Sequence, residues 1–282
     1  MDCVWQEYLK IIPSRYRNRI DLLAKNDLQE TRLRINEKPL LVTSKGILTL
    51  EEKVTSADLQ YCVNAASSYS PWSAQTMASG FITAQGGHRI GICGKTVVAN
   101  GKMTGFRTVT SVSIRVSRDI QNIAAPMDGI KGSILILGSP GTGKTTLLRD
   151  LIRRKSNLRQ GPICVVDERE EIFPIVNDEM AFAVGENTDV LSGCGKREGI
   201  DRALRNMGPN IIALDEITEA ADCDAMVQAA WCGVDLIATA HARDKVEFLK
   251  RPVYKPLVQC GVFKTLVILR KDKSWYTERM EL

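Results

Sequence analysis

The stretch ILILGSPGTGKTTLLRD, residues 134–150, decides the fold class of this chain. It opens with four apolar residues, which predict a buried strand, and continues after Lys144 in a pattern typical of a helix. Between them lies G-x-x-x-x-G-K-T, in the strand–loop–helix context that this motif requires. Its glycines let several backbone N–H groups point at one phosphate, and the helix that follows offers its positive N-terminal end. We therefore expect a phosphate-binding loop formed by Gly138, Ser139, Pro140, Gly141, Thr142, Gly143, Lys144, Thr145 and Thr146.

Two residues of this loop have specific expected roles. Lys144 places a positive charge at the β- and γ-phosphates of a nucleotide, and Thr145 gives its hydroxyl to Mg²⁺. The sequence contains no Asn-Lys-x-Asp motif, which would read guanine. We therefore expect ATP, rather than GTP, as the nucleotide.

A second motif lies about 70 residues further on, where Asp215 and Glu216 follow the apolar run Ile211–Leu214. Both acids should lie at the carboxyl edge of a parallel sheet, where ligands of open α/β sheets bind. We expect Asp215 to bind Mg²⁺ and Glu216 to orient and polarise an attacking water. The pair therefore indicates hydrolysis rather than transfer between small molecules.

Two further strand ends carry polar residues. The segment Asp167–Glu171 follows another apolar run, and it is compatible with a solvated loop or with an active-site role for Glu168 or Glu171. The segment from Ile237 to His241 ends a further strand, and its polar side chains should face the same crevice. This position favours a phosphate-sensing role for His241 over a structural one.

The pattern of apolar residues differs between the two halves of the chain. After residue 129, apolar runs of four or five residues alternate with helical stretches, which predicts a mostly parallel sheet covered by helices. The earlier part shows short amphipathic helices, alternating strands, and hairpin signals at Gly86-Gly87 and Asn100-Gly101. Its composition changes at Ala124–Gly129. We therefore predict a smaller α+β N-terminal domain, 1–128, followed by an α/β P-loop NTPase domain of the RecA-like type, 129–282.

Composition narrows the class of protein. The 282 residues are 44% hydrophobic and 25% charged, which is typical of a globular chain and excludes a disordered or fibrous one. Residues 1–130 hold 16 Lys/Arg and 11 Asp/Glu, whereas residues 131–282 hold 22 of each. The net charge of +5 therefore belongs to the first half. The uncharged stretch Leu59–His88 is compatible with a packed helix and hairpin or with a subunit contact.

The chain starts with acids and has no apolar leader, and no run of 18 apolar residues occurs in it. We therefore expect a cytoplasmic protein that does not span a membrane. Its eight cysteines contain no C-x-x-C pair, and only two histidines accompany them. This spacing does not predict a zinc site.

The motifs above, together with GGHRIGICGK at 86–95, TDVLSGCGK at 188–196 and RPVYKPLVQCGVF at 251–263, resemble the stage III sporulation protein AA family of spore-forming bacteria. The second half is also similar to the ring ATPases of type II and type IV secretion and of pilus assembly. The family resemblance spans nearly the whole chain.

The resemblance implies an ATPase of the mother-cell cytoplasm, peripheral to the membrane. It implies a homo-oligomeric ring, hexameric in similar proteins, at the base of a channel complex toward the forespore, with membrane proteins of that complex as partners. In the secretion ATPases the N-terminal domain supplies arginines to the nucleotide, and an arginine supplied in this way can raise the rate by about 10³–10⁵. The candidates are Arg89, Arg107, Arg115 and Arg118.

Two other functions are compatible with the sequence. The positive N-terminal half suits a nucleic-acid-handling motor for DNA transfer or of the helicase type, but no Lys/Arg run with interleaved aromatics occurs, so we expect no specific nucleic-acid partner. A nucleotide-binding scaffold with little turnover is the other alternative, and the Asp215-Glu216 pair argues against it.

Overall fold

The computed structural model describes residues 2–67, 80–176 and 179–280. The chain forms two compact units. The first comprises residues 1–119 together with 175–182, and the second comprises residues 120–174 together with 183–282. The chain therefore passes between the units three times. Part of the uncharged stretch noted above, residues 68–79, lies outside the described residues.

The described part of the first unit contains an antiparallel six-stranded sheet with helices on one face, and a separate two-stranded ribbon. This arrangement is of the α+β class expected for it. The order of the large sheet is β3-β2-β1-β6-β5-β4. The elements are α1 (Asp2–Ile11), α2 (Ser14–Ala24), β1 (Leu28–Arg34), β2 (Leu40–Thr43), β3 (Gly46–Thr49), α3 (Ser56–Ser67), β4 (Phe81–Ala84), β5 (His88–Ala99), β6 (Lys102–Arg115), and the ribbon strands β9 (Ile175–Val176) and β10 (Glu179–Met180).

Alternation of side chains gives this sheet an apolar face, on which the described helices pack. Ile90 and Ile92 on β5, and Val112 and Ile114 on β6, point to the helices and are buried. The residues between them point to the opposite face, because successive strand residues alternate. Among the described residues, the three helices of this unit all pack on the apolar face, so the opposite one, with its polar and charged side chains, is the open face of the sheet.

His88 attaches α1 to this sheet. Its side chain is fully buried, its Nε2 lies 2.7 Å from the carbonyl oxygen of Val4, and its Nδ1 accepts a hydrogen bond from the N–H of Ser117 at 3.1 Å. The accepting Nδ1 implies that the proton is on Nε2, which then donates to Val4. Burial lowers the pKa of His88 to about 4, because the charged imidazolium would lose its hydration.

The second unit is α/β, with a seven-stranded sheet of order β11-β8-β12-β13-β7-β14-β15. Neighbouring strands are parallel except for the last pair. The elements are β7 (Ile134–Leu137), α4 (Lys144–Asn157), β8 (Ile163–Asp167), β11 (Thr188–Ser192), α5 (Lys196–Asn206), β12 (Ile211–Leu214), α6 (Ala220–Trp231), β13 (Asp235–Ala240), α7 (Lys245–Lys250), α8 (Lys255–Gln259), β14 (Thr265–Leu269) and β15 (Trp275–Arg279).

The apolar runs that predict strands after residue 129 lie at 134–137, 163–166, 211–214, 236–238 and 265–269, and all five form interior strands of this sheet. The sequence reading missed the two edge strands, β11 and β15. An edge strand has a neighbour on one side only, and both of these strands are half-buried or exposed. They therefore lack the continuous apolar run that identifies a strand buried on both faces.

The division of the chain lies earlier than the change of composition indicates. The second unit begins at Ile120 rather than at residue 129. The reason is local, because the backbone N–H groups of Asn122 and Ala124 donate to the buried carboxylate of Asp150 on α4. Among the described residues, no helix combines the length and the apolar character needed to cross a membrane.

Candidate functional site

The predicted phosphate-binding loop, 138–146, turns between β7 and α4. Gly143 directly precedes the helix with φ 103°, a conformation that residues with a side chain rarely adopt. Gly138 lies so close to the rest of the loop that a Cβ atom there would be 2.6 Å from the Oγ1 of Thr142. The hydroxyl of Thr142 donates to the carbonyl of Ser139 at 2.8 Å. The glycines of the motif are therefore required by this backbone.

Lys144 lies at the centre of the loop, and only 7% of it is exposed. Its ammonium donates to the carbonyl oxygen of Gly138 at 3.0 Å, and lies 3.3 Å from that of Ser139. Burial lowers the pKa of Lys144, while the carboxylates of Glu216 and Asp215 oppose this shift. The positive charge of Lys144 is thus bonded to backbone carbonyls of its own loop. A phosphate oxygen is also an acceptor and can replace these carbonyls.

Asp215 connects three elements at the carboxyl edge of the sheet. Its Oδ2 accepts a hydrogen bond from the hydroxyl of Thr145 on α4 at 3.3 Å. Its Oδ1 accepts one from the hydroxyl of Thr239 on β13 at 2.9 Å. Thr239 is fully buried, so its hydroxyl holds the carboxylate in a defined orientation. The sequence predicts that Thr145 and Asp215 bind the same Mg²⁺, and the structure brings these two side chains into contact.

Thr239 is a residue that the sequence reading did not select. The sequence signal that could have identified it as a site residue is its position at the end of an apolar strand, two residues before His241. Thr146, which the reading did select, lies in the first turn of α4 and is half-buried.

Glu216 and His241 form the other half of the site. Nε2 of His241 lies 2.9 Å from Oε2 of Glu216, and Nδ1 of the same ring lies 3.0 Å from Nζ of Lys144. Since the lysine can only donate, Nδ1 is the acceptor and Nε2–H donates to the glutamate. The structure thus brings Lys144, His241 and Glu216 into one row of hydrogen bonds, within a single unit.

The acidic segment after β8 is held by its first residue. The carboxylate of Asp167, 1% exposed, accepts hydrogen bonds from the N–H groups of Glu171, Ile172 and Phe173 at 2.8–2.9 Å. Burial raises the pKa of Asp167 to about 6, the charge of Asp215 adds to the shift, and the N–H groups oppose it. Asp167, at the end of the strand, therefore shapes the loop that carries the two expected glutamates.

The two glutamates differ in what their atoms contact. Oε2 of Glu168 forms an ion pair with the buried Lys196 at 2.5 Å, and the backbone carbonyl of Glu171 accepts from Arg149 at 3.0 Å. An active-site role for either side chain stays a prediction.

The four candidate arginines all lie in the first unit. Arg89 and Arg115 are directly opposite each other on β5 and β6, on the open face of the sheet, and Arg89 lies over the ring of Phe81 at 4.1 Å. Arg107 is exposed further along β6.

Arg118 is half-buried, and its guanidinium donates to the carbonyls of Lys25 and Leu28 at 2.9 and 3.1 Å. These bonds hold the turn between α2 and β1. Arg32 and Arg34 on β1, which the reading did not select, share the open face with Arg115, since Arg115 lies opposite Glu30 in register and alternate residues share a face.

The chain is similar to known proteins over nearly its whole length. A model of the protein family described as Sporulation stage III, protein AA, matches residues 6–278. Stage III sporulation protein AA of Bacillus subtilis (strain 168) is 31% identical over 281 residues, which is 95% of this chain and 92% of that protein.

Two solved structures have a similar fold. The ATPase DotB of Yersinia pseudotuberculosis has a TM-score of 0.59 and 15% identity, covering 94% of this chain and 77% of that chain. The pilus retraction motor PilT, solved with bound ADP, has a TM-score of 0.59 and 14% identity, covering 90% of this chain and 77% of that chain. At this identity the similarity concerns the fold alone, a mixed α/β architecture with a parallel-rich sheet.

Proposed function

The chain belongs to the sporulation stage III protein AA family, and from that premise we propose that it is an ATP-hydrolysing motor of the secretion-ATPase type with a RecA-like P-loop domain. The observation that carries this proposal is the row of hydrogen bonds from Lys144 through His241 to Glu216. Nucleotide binding needs the loop alone. Hydrolysis needs, in addition, a carboxylate that is held in a fixed position relative to the loop lysine and can activate water.

The residues of the site fit ATP with Mg²⁺. The tight turn at Gly138, which has no space for a Cβ atom, leaves the backbone N–H groups of the loop 138–146, which Pro140 lacks, as the cradle for phosphates. The hydroxyl of Thr145 and the carboxylate of Asp215 are oxygen donors of the kind that Mg²⁺ prefers. When bound, Mg²⁺ would neutralise the negative charge that develops on the phosphate oxygens.

Three residues of the chain have separate roles in this proposal. Lys144 exchanges its carbonyl acceptors for phosphate oxygens, which are charged and accept more strongly. Glu216 orients a water and accepts its proton, and the Nε2–H of His241 keeps that carboxylate in place. Because His241 also contacts Lys144, it is positioned to respond to the phosphate that the lysine binds, which supports the sensing role.

We place this activity in the mother-cell cytoplasm, at the membrane surface, in a homo-oligomeric, hexameric ring. Its partners in this proposal are membrane proteins of a channel complex toward the forespore. Family membership supports this location. The open basic face of the first unit supports a role of Arg115 or Arg89 at the nucleotide of a neighbouring subunit, with Arg107 and Arg118 as the further candidates.

The test is hydrolysis by the purified chain. Glu216→Gln should keep ATP binding and lose turnover, whereas Lys144→Ala should lose binding. Glu198→Gln is the matched control, because Glu198 is an exposed glutamate of the same unit, paired with Arg202 on α5. Normal hydrolysis by Glu216→Gln would contradict the role of Glu216, and a wild type without turnover in any assembly state would leave the scaffold function.

A nucleic-acid-handling motor is the second candidate, and the open sheet face favours it. Arg32, Arg34, Arg89 and Arg115 lie on that face together with the ring of Phe81. Arginines bind phosphates and a ring can stack on a base. Salt-dependent binding of single-stranded DNA that stimulates hydrolysis would support this function, and its absence would favour the secretion-type motor.

A further inference from the structure

The helix that follows the phosphate-binding loop contains buried charges that the proposed hydrolysis does not use. Arg149, Asp150, Arg153 and Lys155 on α4 are 4%, 1%, 6% and 2% exposed. Burying a charged group is unfavourable unless the group is paired and hydrogen bonded, so charged residues are rarely fully buried without a partner. The hydrogen-bond partners of these side chains show which segments of the chain are attached to α4.

The first partner is the connection at 119/120, where the chain enters the second unit. Asp150 accepts hydrogen bonds from the backbone N–H of Asn122 at 3.1 Å and of Ala124 at 2.8 Å. Arg153 donates to the carbonyl of Ile120 at 3.3 Å and to Asp150 at 2.7 Å. The first residues of the second unit are therefore tied to α4 by a buried ion pair.

The second partner is the loop that leads to the connection at 174/175. The guanidinium of Arg149 donates to the carbonyl of Ile172 at 2.5 Å and to that of Glu171 at 3.0 Å. Asp167 holds the N–H groups of the same loop. After Pro174 the chain continues into the ribbon strands β9 and β10, which belong to the first unit.

The third partner is the connection at 182/183, where the chain returns. The carbonyl of Ala183 lies 3.5 Å from Nη1 of Arg153. The N–H of Glu186 donates to the side chain of Asn157 at 3.2 Å, and the N–H of Asn187 donates to the hydroxyl of Ser156 at 2.8 Å. This connection is again attached to the C-terminal half of α4.

We propose that α4 couples nucleotide occupancy to the first unit through these attachments, with Arg149 and Arg153 as positioning residues. Within the part of the chain that the structure describes, each of the three connections between the units is hydrogen bonded to this one helix, which begins at Lys144. Helix shifts of about 1–2 Å are a common response to a ligand. A shift of α4 would move all three connections together. The inference rests on the proposed function, because it assumes that nucleotide binds at the N-terminus of α4.

Hydrogen exchange of the full-length protein, with and without a non-hydrolysable ATP analogue and Mg²⁺, tests this proposal. The amides to follow are those of Asn122 and Ala124, of 171–173, and of Glu186 and Asn187, with 139–147 as the report on binding. The variants are Arg149→Met and Arg153→Met. Lys155→Met is the matched control, because Lys155 is a buried cation of the same helix that donates to Ile130 and Gln160 instead of to a connection.

In the wild type we expect the analogue to change exchange at all three connections, by about two- to tenfold, the size expected from altering one hydrogen bond. Arg149→Met should abolish this response at 171–173 only. Arg153→Met should abolish it at Asn122 and Ala124, because their acceptor Asp150 then loses its buried ion-pair partner. The response at Glu186 and Asn187 should remain, because Asn157 and Ser156 hold those amides. Lys155→Met should keep all three responses. Each variant should still show slowed exchange at 139–147, because none of these side chains belongs to the phosphate-binding loop.

The outcomes separate this proposal from the proposed function. Slowed exchange at 139–147 without a response at the connections would overturn the coupling and leave the ATPase intact. A response at 171–173 that persists in Arg149→Met, or one at Asn122 and Ala124 that persists in Arg153→Met, would overturn it too. Unchanged exchange at 139–147 in the wild type would instead contradict nucleotide binding itself. If a Met variant does not fold, Lys at the same position keeps the charge and lacks the guanidinium fork, and the same differences are expected from it.

Discussion

Nε2 of His241 lies 2.9 Å from Oε2 of Glu216, and the two residues follow the ends of neighbouring parallel strands, β13 and β12. The imidazole is held from its other side by Lys144. One ring therefore contacts both the cation of the phosphate-binding loop and the carboxylate that we propose for the activation of water. This arrangement gives the first prediction.

Replacing His241 with Gln should lower the kcat of ATP hydrolysis by about tenfold to a hundredfold, because the carboxylate of Glu216 loses its fixed orientation and small misplacements of a reacting group have effects of this size. The affinity for nucleotide should change little, since Lys144 and the loop remain. Steady-state kinetics together with a fluorescent-nucleotide titration measure both. A variant with normal kcat would show that His241 does not position Glu216.

The hydroxyl of Thr239 should be needed for Mg²⁺ dependence. Thr239→Val keeps the shape of the side chain and removes the donor to Asp215, so the carboxylate loses one of its two hydroxyl contacts. We expect a higher Mg²⁺ concentration for half-maximal activity, and a loss of stability of about 1 kcal/mol. Thr239→Ser should restore the Mg²⁺ dependence because it restores the hydroxyl. Equal Mg²⁺ requirements in Val and Ser variants would contradict this role.

Gly143→Ala should weaken nucleotide binding by about tenfold or more. The residue has φ 103°, and a side chain in the left-handed region costs roughly 1–2 kcal/mol. Gly195→Ala is the matched control, because Gly195 also precedes a helix but has φ −59° and open space around it. Nucleotide affinity, measured by calorimetry, should therefore fall only in the first variant. Equal affinities would show that the loop adapts to a side chain.

The buried His88 should make the first unit less stable in acid. Its folded pKa of about 4 lies below the ordinary value of about 6.5, so the unfolded chain binds a proton that the folded chain excludes. The contribution of His88 is fully present above pH 6.5 and falls as the pH decreases toward 4. Between pH 7.5 and pH 5 it should decrease by about 2 kcal/mol.

Urea unfolding at these two pH values measures the effect, and His88→Gln isolates it. The comparison is needed because Asp167, whose pKa is raised to about 6, acts in the opposite direction and favours the folded state as the pH falls below 6. The wild type should therefore lose more stability than His88→Gln over this range. Identical losses in the two proteins would contradict the neutral, buried imidazole.

Much of the site followed from local patterns. The glycines at 138, 141 and 143 with Lys144 predicted a phosphate-binding loop, because only such residues permit that backbone and charge. The apolar run before Asp215 predicted a central strand that ends at the ligand edge. These features depend on neighbouring residues, so they can be read without knowing how the strands are ordered.

Other features depend on residues that are far apart in the chain. Thr239 was not selected because a hydroxyl at a strand end has many uses, and only its 2.9 Å contact with Asp215 distinguishes it. The edge strands β11 and β15 were missed because exposure on one side removes the apolar pattern. The ribbon of β9 and β10 was missed because nothing in residues 175–182 indicates which unit they join.

The sequence by itself determined that this chain has a glycine-rich loop between a strand and a helix, a mostly parallel sheet in its second half, and acids at the ends of the strands, because periodicity and local backbone requirements encode these features. The tertiary structure alone decided that His241 joins Lys144 to Glu216 and that α4 holds all three described connections between the units. These contacts are set by the order β12-β13-β7 and by which buried charges meet a partner. Strand order and long-range pairing depend on the packing of the whole core, and no short stretch of sequence specifies them.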